Sequence, residues 1–117
     1  MRHRNKRFKL NRDSDHRKAL LRNLAISLFQ NGEIKTTQAK AKVLRSFVDR
    51  LINVSKKGDL ASRRYLLAKI PHKPTVNKLI HEWASKFQNK KSGFCKIFKL
   101  AWRQGDKADM ALVRLAS

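Results

Sequence analysis

The opening stretch of this chain constrains it most. Arg2, Arg4, Lys6, Arg7, Lys9 and Arg12 follow one another with no acidic residue between them. Like charges at that density repel, and too few apolar residues intervene to bury anything, so the segment orders only against a polyanion. The whole chain shares the bias: 29 Lys plus Arg stand against 8 Asp plus Glu, a formal net charge of +21. A free monomer holding that charge works against its own repulsion. Laid against phosphates, it gains from the release of condensed counterions. A membrane surface also attracts cations, but it needs a wide apolar face open to lipid, and the apolar stripes here are used by a core. Nucleic acid is therefore the expected partner.

The 117 residues suit one domain, and 41% hydrophobic content is enough for a core. The chain divides into a basic extended arm, 1–13, and a single α+β domain, 14–117. Cys95 is the only cysteine, so an internal disulfide and a cysteine-based zinc site are both excluded. It lies in an apolar stretch and reads as a small packing residue rather than a reactive thiol. No apolar run reaches membrane-spanning length. The basic start has no apolar segment of the secretory kind behind it and is not a Ser-rich amphipathic transit helix, so an intracellular protein with no membrane partner is expected.

Local signals lay out the domain. Asp13, Ser14 and Asp15 suit the start of a first helix near Ser14. Ala19, Leu20, Leu21, Leu24, Ala25, Leu28 and Phe29 form its apolar face, and Asn31-Gly32 ends it. Its other face carries Arg17, Lys18, Arg22 and Asn23, next to the arm and placed to meet phosphate. Glu33–Thr37 alternates and is β-branched, which predicts a strand. Thr37 can cap a second helix, predicted to about Lys57, with Leu44, Phe47, Val48, Leu51 and Ile52 inward and Lys40, Lys42, Arg45 and Arg50 off that stripe. Asp59 caps a third helix, about Leu60 to Lys69, whose apolar residues are Leu60, Tyr65, Leu66, Leu67 and Ile70 and whose middle holds Arg63-Arg64. Pro71 stops it and Pro74 opens a fourth. That helix carries Val76, Leu79, Ile80, Trp83, Ala84 and Phe87, so Trp83 is expected in the core rather than on a base. After Gly93 the period becomes two: Phe94, Lys96, Phe98, Leu100 and Trp102 on one side, Cys95, Ile97, Lys99, Ala101 and Arg103 on the other. A turn at Gln104–Lys107 and a returning strand, Ala108 to Leu115, complete a hairpin. Lys96, Lys99 and Arg103 suit ligand contact and open water equally. The fold class expected is α+β: four helices on one face of a small three-stranded sheet, with the basic arm extended from it.

Catalysis finds little support. A metal-dependent nuclease gathers carboxylates in one site. Here only Asp13/Asp15 and Asp106/Asp109 are neighbours, and a helix cap and a turn account for them. His3, His16, His72 and His81 have no ligand spacing; His3 and His16 stand among arginines, which oppose a bound cation. A phosphate-binding glycine loop and a glycine-flanked serine are both missing. No enzyme, metal, cofactor or small-molecule substrate is expected.

Several stretches in order resemble one family. They are Met1-Arg2-His3-Arg4, Leu10-Asn11-Arg12, His16-Arg17 with Arg22-Asn23-Leu24, Glu33-Ile34-Lys35-Thr36-Thr37, Ala41-Lys42 with Leu44-Arg45, Arg63-Arg64, and Arg103 through Gly105-Asp106 to Met110-Ala111. Together they resemble the L-seventeen family of bacterial-type large-subunit ribosomal proteins over nearly the whole chain. Three positions depart from it: Arg7 and Phe8 stand where glycine and a basic residue are frequent, and Phe94 where a tyrosine is frequent. The resemblance implies a structural protein bound to large-subunit ribosomal RNA near the peptide exit tunnel. Other large-subunit proteins would be its neighbours on a cytoplasmic ribosome, with an organellar ribosome as the alternative. On that reading Arg2, Arg4, Lys6, Arg7, Lys9 and Arg12 clamp phosphates, and His3 and Phe8 stack on exposed bases. His16, Arg17, Arg22, Lys35, Thr36, Thr37, Lys40, Lys42, Arg45, Arg63 and Arg64 extend the RNA-binding surface.

Two other readings compete. Helices three and four could form a DNA-binding helix-turn-helix, with Asn77, Lys78, His81 and Lys86 toward the groove. The two prolines in the connection, the charge concentrated elsewhere and the lack of a dimer face weigh against it. A free RNA chaperone is the third.

Overall fold

Among the described residues, four helices and a three-stranded antiparallel sheet follow in the order α1 (Ser14–Asn31), β1 (Glu33–Thr37), α2 (Gln38–Ser55), α3 (Leu60–Lys69), α4 (Lys73–Lys78), β2 (Cys95–Lys99) and β3 (Met110–Leu115). The fourth helix continues past α4 through a wider π-type segment, Leu79–Trp83, and a closing α turn, Ala84–Lys86. The computed structural model describes residues 14–102, 105 and 108–116. The arm therefore lies outside the described residues, as do Asp13, Arg103 and Gln104.

The turns form where local chemistry places them. Gly32 takes φ +85°, which a residue with a Cβ adopts only at a cost. Its N–H closes α1 by donating to Leu28 O at 2.7 Å, and its C=O accepts from Leu115 N–H at 2.9 Å. One residue thus ends a helix and joins the first strand to the last. Thr37 Oγ1 caps α2 by accepting from Lys40 N–H at 3.4 Å, and Gln38 N–H donates to Asp109 O at 2.8 Å. Asp59 Oδ1 caps α3 by accepting from Ser62 N–H at 2.8 Å.

The sheet order is β1-β3-β2, so the last strand lies in the middle. Glu33 to Thr37 pair with Arg114 to Met110, and Cys95 to Lys99 pair with Leu115 to Ala111. Ala111, Val113, Leu115 and Cys95 face α1 and α2, and all four are buried. Against them pack Ala25, Leu28 and Phe29 of α1 and Leu44, Val48, Leu51 and Ile52 of α2. Leu66, Ile70, Val76, Leu79 and Phe87 complete the same cluster from behind.

Several expectations change. Leu60 and Tyr65 are not in the core: α3 buries one narrow stripe, Ser62, Leu66 and the following Ile70, and Leu60 is 61% exposed. The fourth helix is not uniformly α. Ala84 N–H reaches back five residues to Leu79 O, which inserts an extra residue into the turn and re-aims Trp83. Trp83 packs against the core as expected, its indole N–H donating to Phe29 O at 2.9 Å. Phe94 leaves the strand alternation. Gly93, at φ +70°, turns the chain so that Phe94 is fully buried beside Phe87, ring centres 5.0 Å apart, with the Lys56 ammonium 4.7 Å from its centroid. The hairpin strands are therefore shorter than predicted, and β2 pairing extends past Lys99 only by Leu100 N–H to Met110 O.

Two outcomes test this architecture. Leu51→Ala empties a fully buried site between α2 and the rest of the core and lowers unfolding stability in urea by about 2–5 kcal/mol. Bonds from Ser62, first its side chain and then its backbone, hold the Asp59 carboxyl below the usual carboxylate value. A depressed carboxylate contributes stability above its unfolded pKa and loses it as pH falls through the lower folded value. Asp59→Asn therefore flattens the melting temperature against pH over that acid range, while the native chain declines there.

Candidate nucleic-acid interface

Basic side chains outside the core gather on recognisable elements. In the first turns of α1, His16 is exposed and Arg17 half-buried. Further along, Arg22 is half-buried, and its Nε is shielded from solvent without a hydrogen-bond partner. At the β1–α2 junction, Lys35, Lys42 and Arg45 are exposed and Lys40 is half-buried. Thr37 and Lys42 line a cleft of about 380 Å³ with Gln38, Ala39, Ala108 and Asp109. Thr37 Oγ1 there accepts the α2 cap bond and keeps its O–H free to donate. Thr36 stands apart from its neighbours. It pairs with Ala111 on the covered side of the sheet and is 7% exposed, so its side chain does not reach the surface.

Arg63 and Arg64 sit on α3, which packs on α2 and α4. Arg64 is exposed, whereas Arg63 donates to Asn77 Oδ1 at 2.7 Å and so braces α3 against α4. In turn α4 is held near the end of α1, where Gln30 Nε2 donates to Thr75 Oγ1 at 2.9 Å and Lys78 Nζ donates to Gln30 O at 2.9 Å. The 18 residues of α1 span about 27 Å, so the predicted surface is drawn out along the domain rather than gathered into a pocket. The predicted arm residues Arg2, His3, Arg4, Lys6, Arg7, Phe8, Lys9 and Arg12 lie outside the described residues.

Three of the residues in the helix-turn-helix reading make contacts within the fold. Asn77 is taken by Arg63, the Lys78 ammonium by Gln30 O, and the Lys86 ammonium lies 4.6 Å from the Trp83 ring centroid. Among the described residues, no three His, Cys, Asp or Glu side chains gather as a metal ion would require, and no helix is long and apolar enough to cross a membrane. The Cys95 thiol is pushed up to about 12, by burial first and by the Asp49 charge second, with Arg45 acting the other way. A thiol so raised is not a nucleophile at neutral pH.

Comparison with known proteins settles the family. The family model for ribosomal protein L17 matches residues 20–116, from within α1 to the end of β3. This chain belongs to the ribosomal protein L17 family. Proteins named large ribosomal subunit protein bL17 are similar over almost their full length. Those of Desulforapulum autotrophicum and Campylobacter hominis are each 45% identical, across 98% of this chain and 96% and 98% of the relatives. That of Nautilia profundicola is 46% identical across 97% of this chain and 96% of the relative.

Sequence periodicity also missed two side chains with no role in the core. Phe98 and Trp102 are 42% and 67% exposed. The signal was present: both fall on the opposite alternation phase from Cys95 and Ile97, the phase that also carries Lys96. The state of the thiol is directly testable. Cys95 in the folded chain resists alkylation at pH 8 and reacts at the rate of a free thiol in denaturant, followed by mass spectrometry.

Proposed function

We propose that this chain is a structural constituent of the large ribosomal subunit, binding and stabilising ribosomal RNA near the peptide exit tunnel, and that it performs no catalysis. The observation that carries the reading is near-full-length similarity to proteins named for that subunit, joined to a net charge of +21 that a free monomer bears only at a cost. Its partners are large-subunit ribosomal RNA and neighbouring large-subunit proteins, and it works on the ribosome in the cytoplasm.

In this reading the arm, 1–13, and the domain, 14–117, divide the work. Arg2, Arg4, Lys6, Arg7, Lys9 and Arg12 neutralise phosphates, and His3 and Phe8 stack on bases. The domain adds His16, Arg17 and Arg22 along α1, Lys35 on β1, Lys40, Lys42 and Arg45 on α2, of which Lys42 lines the cleft beside Thr37, and Arg64 with its brace Arg63 on α3. Thr36 drops out of the set because it is buried. Recognition is of shape and backbone, since the A-form major groove is too narrow for side chains to read.

Two measurements test this. In a lysate fractionated at moderate salt the chain sediments with the large subunit; its release into the soluble fraction would instead indicate a regulator or a free chaperone. Deleting residues 1–12 leaves the circular dichroism of the domain intact and weakens affinity for ribosomal RNA. It also lowers the log–log salt slope by about 0.9 for each duplex phosphate that the arm neutralises. Unaltered affinity and slope would make the arm a bystander.

A further inference from the structure

The helices cover one face of the sheet and leave the other open. Register places a middle row, Lys35, Leu112 and Phe98, across that open face, beside a second row, Glu33, Arg114 and Lys96. Beyond the end of β2 the chain exposes Trp102. Phe98, on an edge strand with Lys96 on the same face, and Trp102, three residues past the end of that strand, are thus left in water. Lysines on an edge strand are common, because they discourage pairing with another chain. Exposed aromatic rings in the same place work against that protection unless something covers them.

We propose that this open face is a base-stacking site for a single-stranded segment of ribosomal RNA, with Phe98 and Trp102 as the platforms and Lys35 and Lys96 as the phosphate contacts. The proposal rests on the RNA-binding reading above and deepens it. Stacking needs a flat ring open to solvent, with a cation near enough to hold the backbone. Among the other described rings, Phe29, Phe87 and Phe94 are fully buried, Phe47 packs half-buried against the core, Trp83 is tied to Phe29 O and stacked on Phe87, and Tyr65, on α3 rather than on the sheet, has the Lys69 ammonium 5.5 Å from its centroid. Phe98 has the Arg114 guanidinium 5.5 Å from its centroid, and Trp102 is the more exposed of the pair. Four residues of chain separate the two Cα atoms by at most about 14 Å, so one RNA segment reaches both rings.

Charge selects RNA over a protein partner. The acid of this face, Glu33, is already paired with Arg114 at 2.9 Å. Among the described residues Lys35 and Lys96 have no ion-pair partner. An apolar protein surface placed here would desolvate both ammonium groups with nothing in return, whereas a nucleotide strand supplies a phosphate beside each base.

The test uses the full chain and purified large-subunit ribosomal RNA stripped of protein. Phe98→Leu and Trp102→Leu retain an apolar side chain but lack the flat ring. Each is expected to bind about tenfold more weakly, with an unchanged salt slope because every phosphate remains neutralised. Trp102→Phe keeps a ring and stays within about threefold of the native chain. Lys35→Gln combined with Lys96→Gln lowers the slope by roughly 1 to 2. Trp102 lies outside the regular strand, so its variants retain the native circular dichroism and report on binding even if Phe98→Leu disturbs the sheet. Leucine variants that bind as tightly as the native chain overturn the proposal. So does RNA affinity that survives in the leucine variants while, in assembled large subunits, the same variants lose cross-links to a neighbouring protein, which would make the face a protein dock. A native chain that binds no RNA at all defeats the underlying reading first, and this one with it.

Discussion

β3 bonds to a partner strand along both of its edges, and most of the architecture hangs from it. Its inward residues Ala111, Val113 and Leu115 belong to the same core as α1 and α2. Its flanks hold β1, which follows α1 through Gly32, and β2, which follows the fourth helix. Leu115 N–H to Gly32 O and Ala116 N–H to Phe94 O fasten the end of the chain to the starts of both partner strands. The middle of the sheet is therefore supplied last in sequence. Its pairings span most of the chain, and closing such long loops costs entropy that only the assembled core offsets.

The fold must also carry its cations with few carboxylates at hand, and it places several against other partners. The Lys56, Lys69 and Lys86 ammonium groups lie over the rings of Phe94, Tyr65 and Trp83. Lys56 donates to Lys90 O, Lys78 to Gln30 O, and Lys90 to Gly93 O and Ala116 O. A ring face or a carbonyl satisfies an ammonium group without neutralising it. Lys78 in addition meets the negative end of the α1 dipole. Such contacts settle individual lysines while leaving the long-range positive field for a polyanion. The exposed pair Arg114–Glu33 contributes under about 1 kcal/mol.

Much of the candidate surface was legible because charge is a property of composition and exposure follows from helical period. Lys42 and Arg45 are exposed as their positions off the apolar stripe of α2 imply. Thr36 was misread because alternation gives two phases and does not say which one a helix will cover; pairing with Ala111 on the buried side decides it. The same ambiguity hid Phe98. Arg63 was legible as a cation but not as a brace, since Asn77 lies on another helix.

The amino-acid sequence by itself determined the excess of positive charge, the α+β class and the places where helices begin and end. Those properties depend on residues within a turn of one another: Gly32 at a left-handed φ, Thr37 and Asp59 as caps, proline between the third and fourth helices. Only the tertiary structure decided that Phe94 leaves its strand phase for the core, that the fourth helix widens at Leu79–Trp83, and that the open face of the sheet keeps the Phe98 ring in water. Each of these is settled by which distant side chains compete for the same buried volume, and that competition exists only once the elements have met.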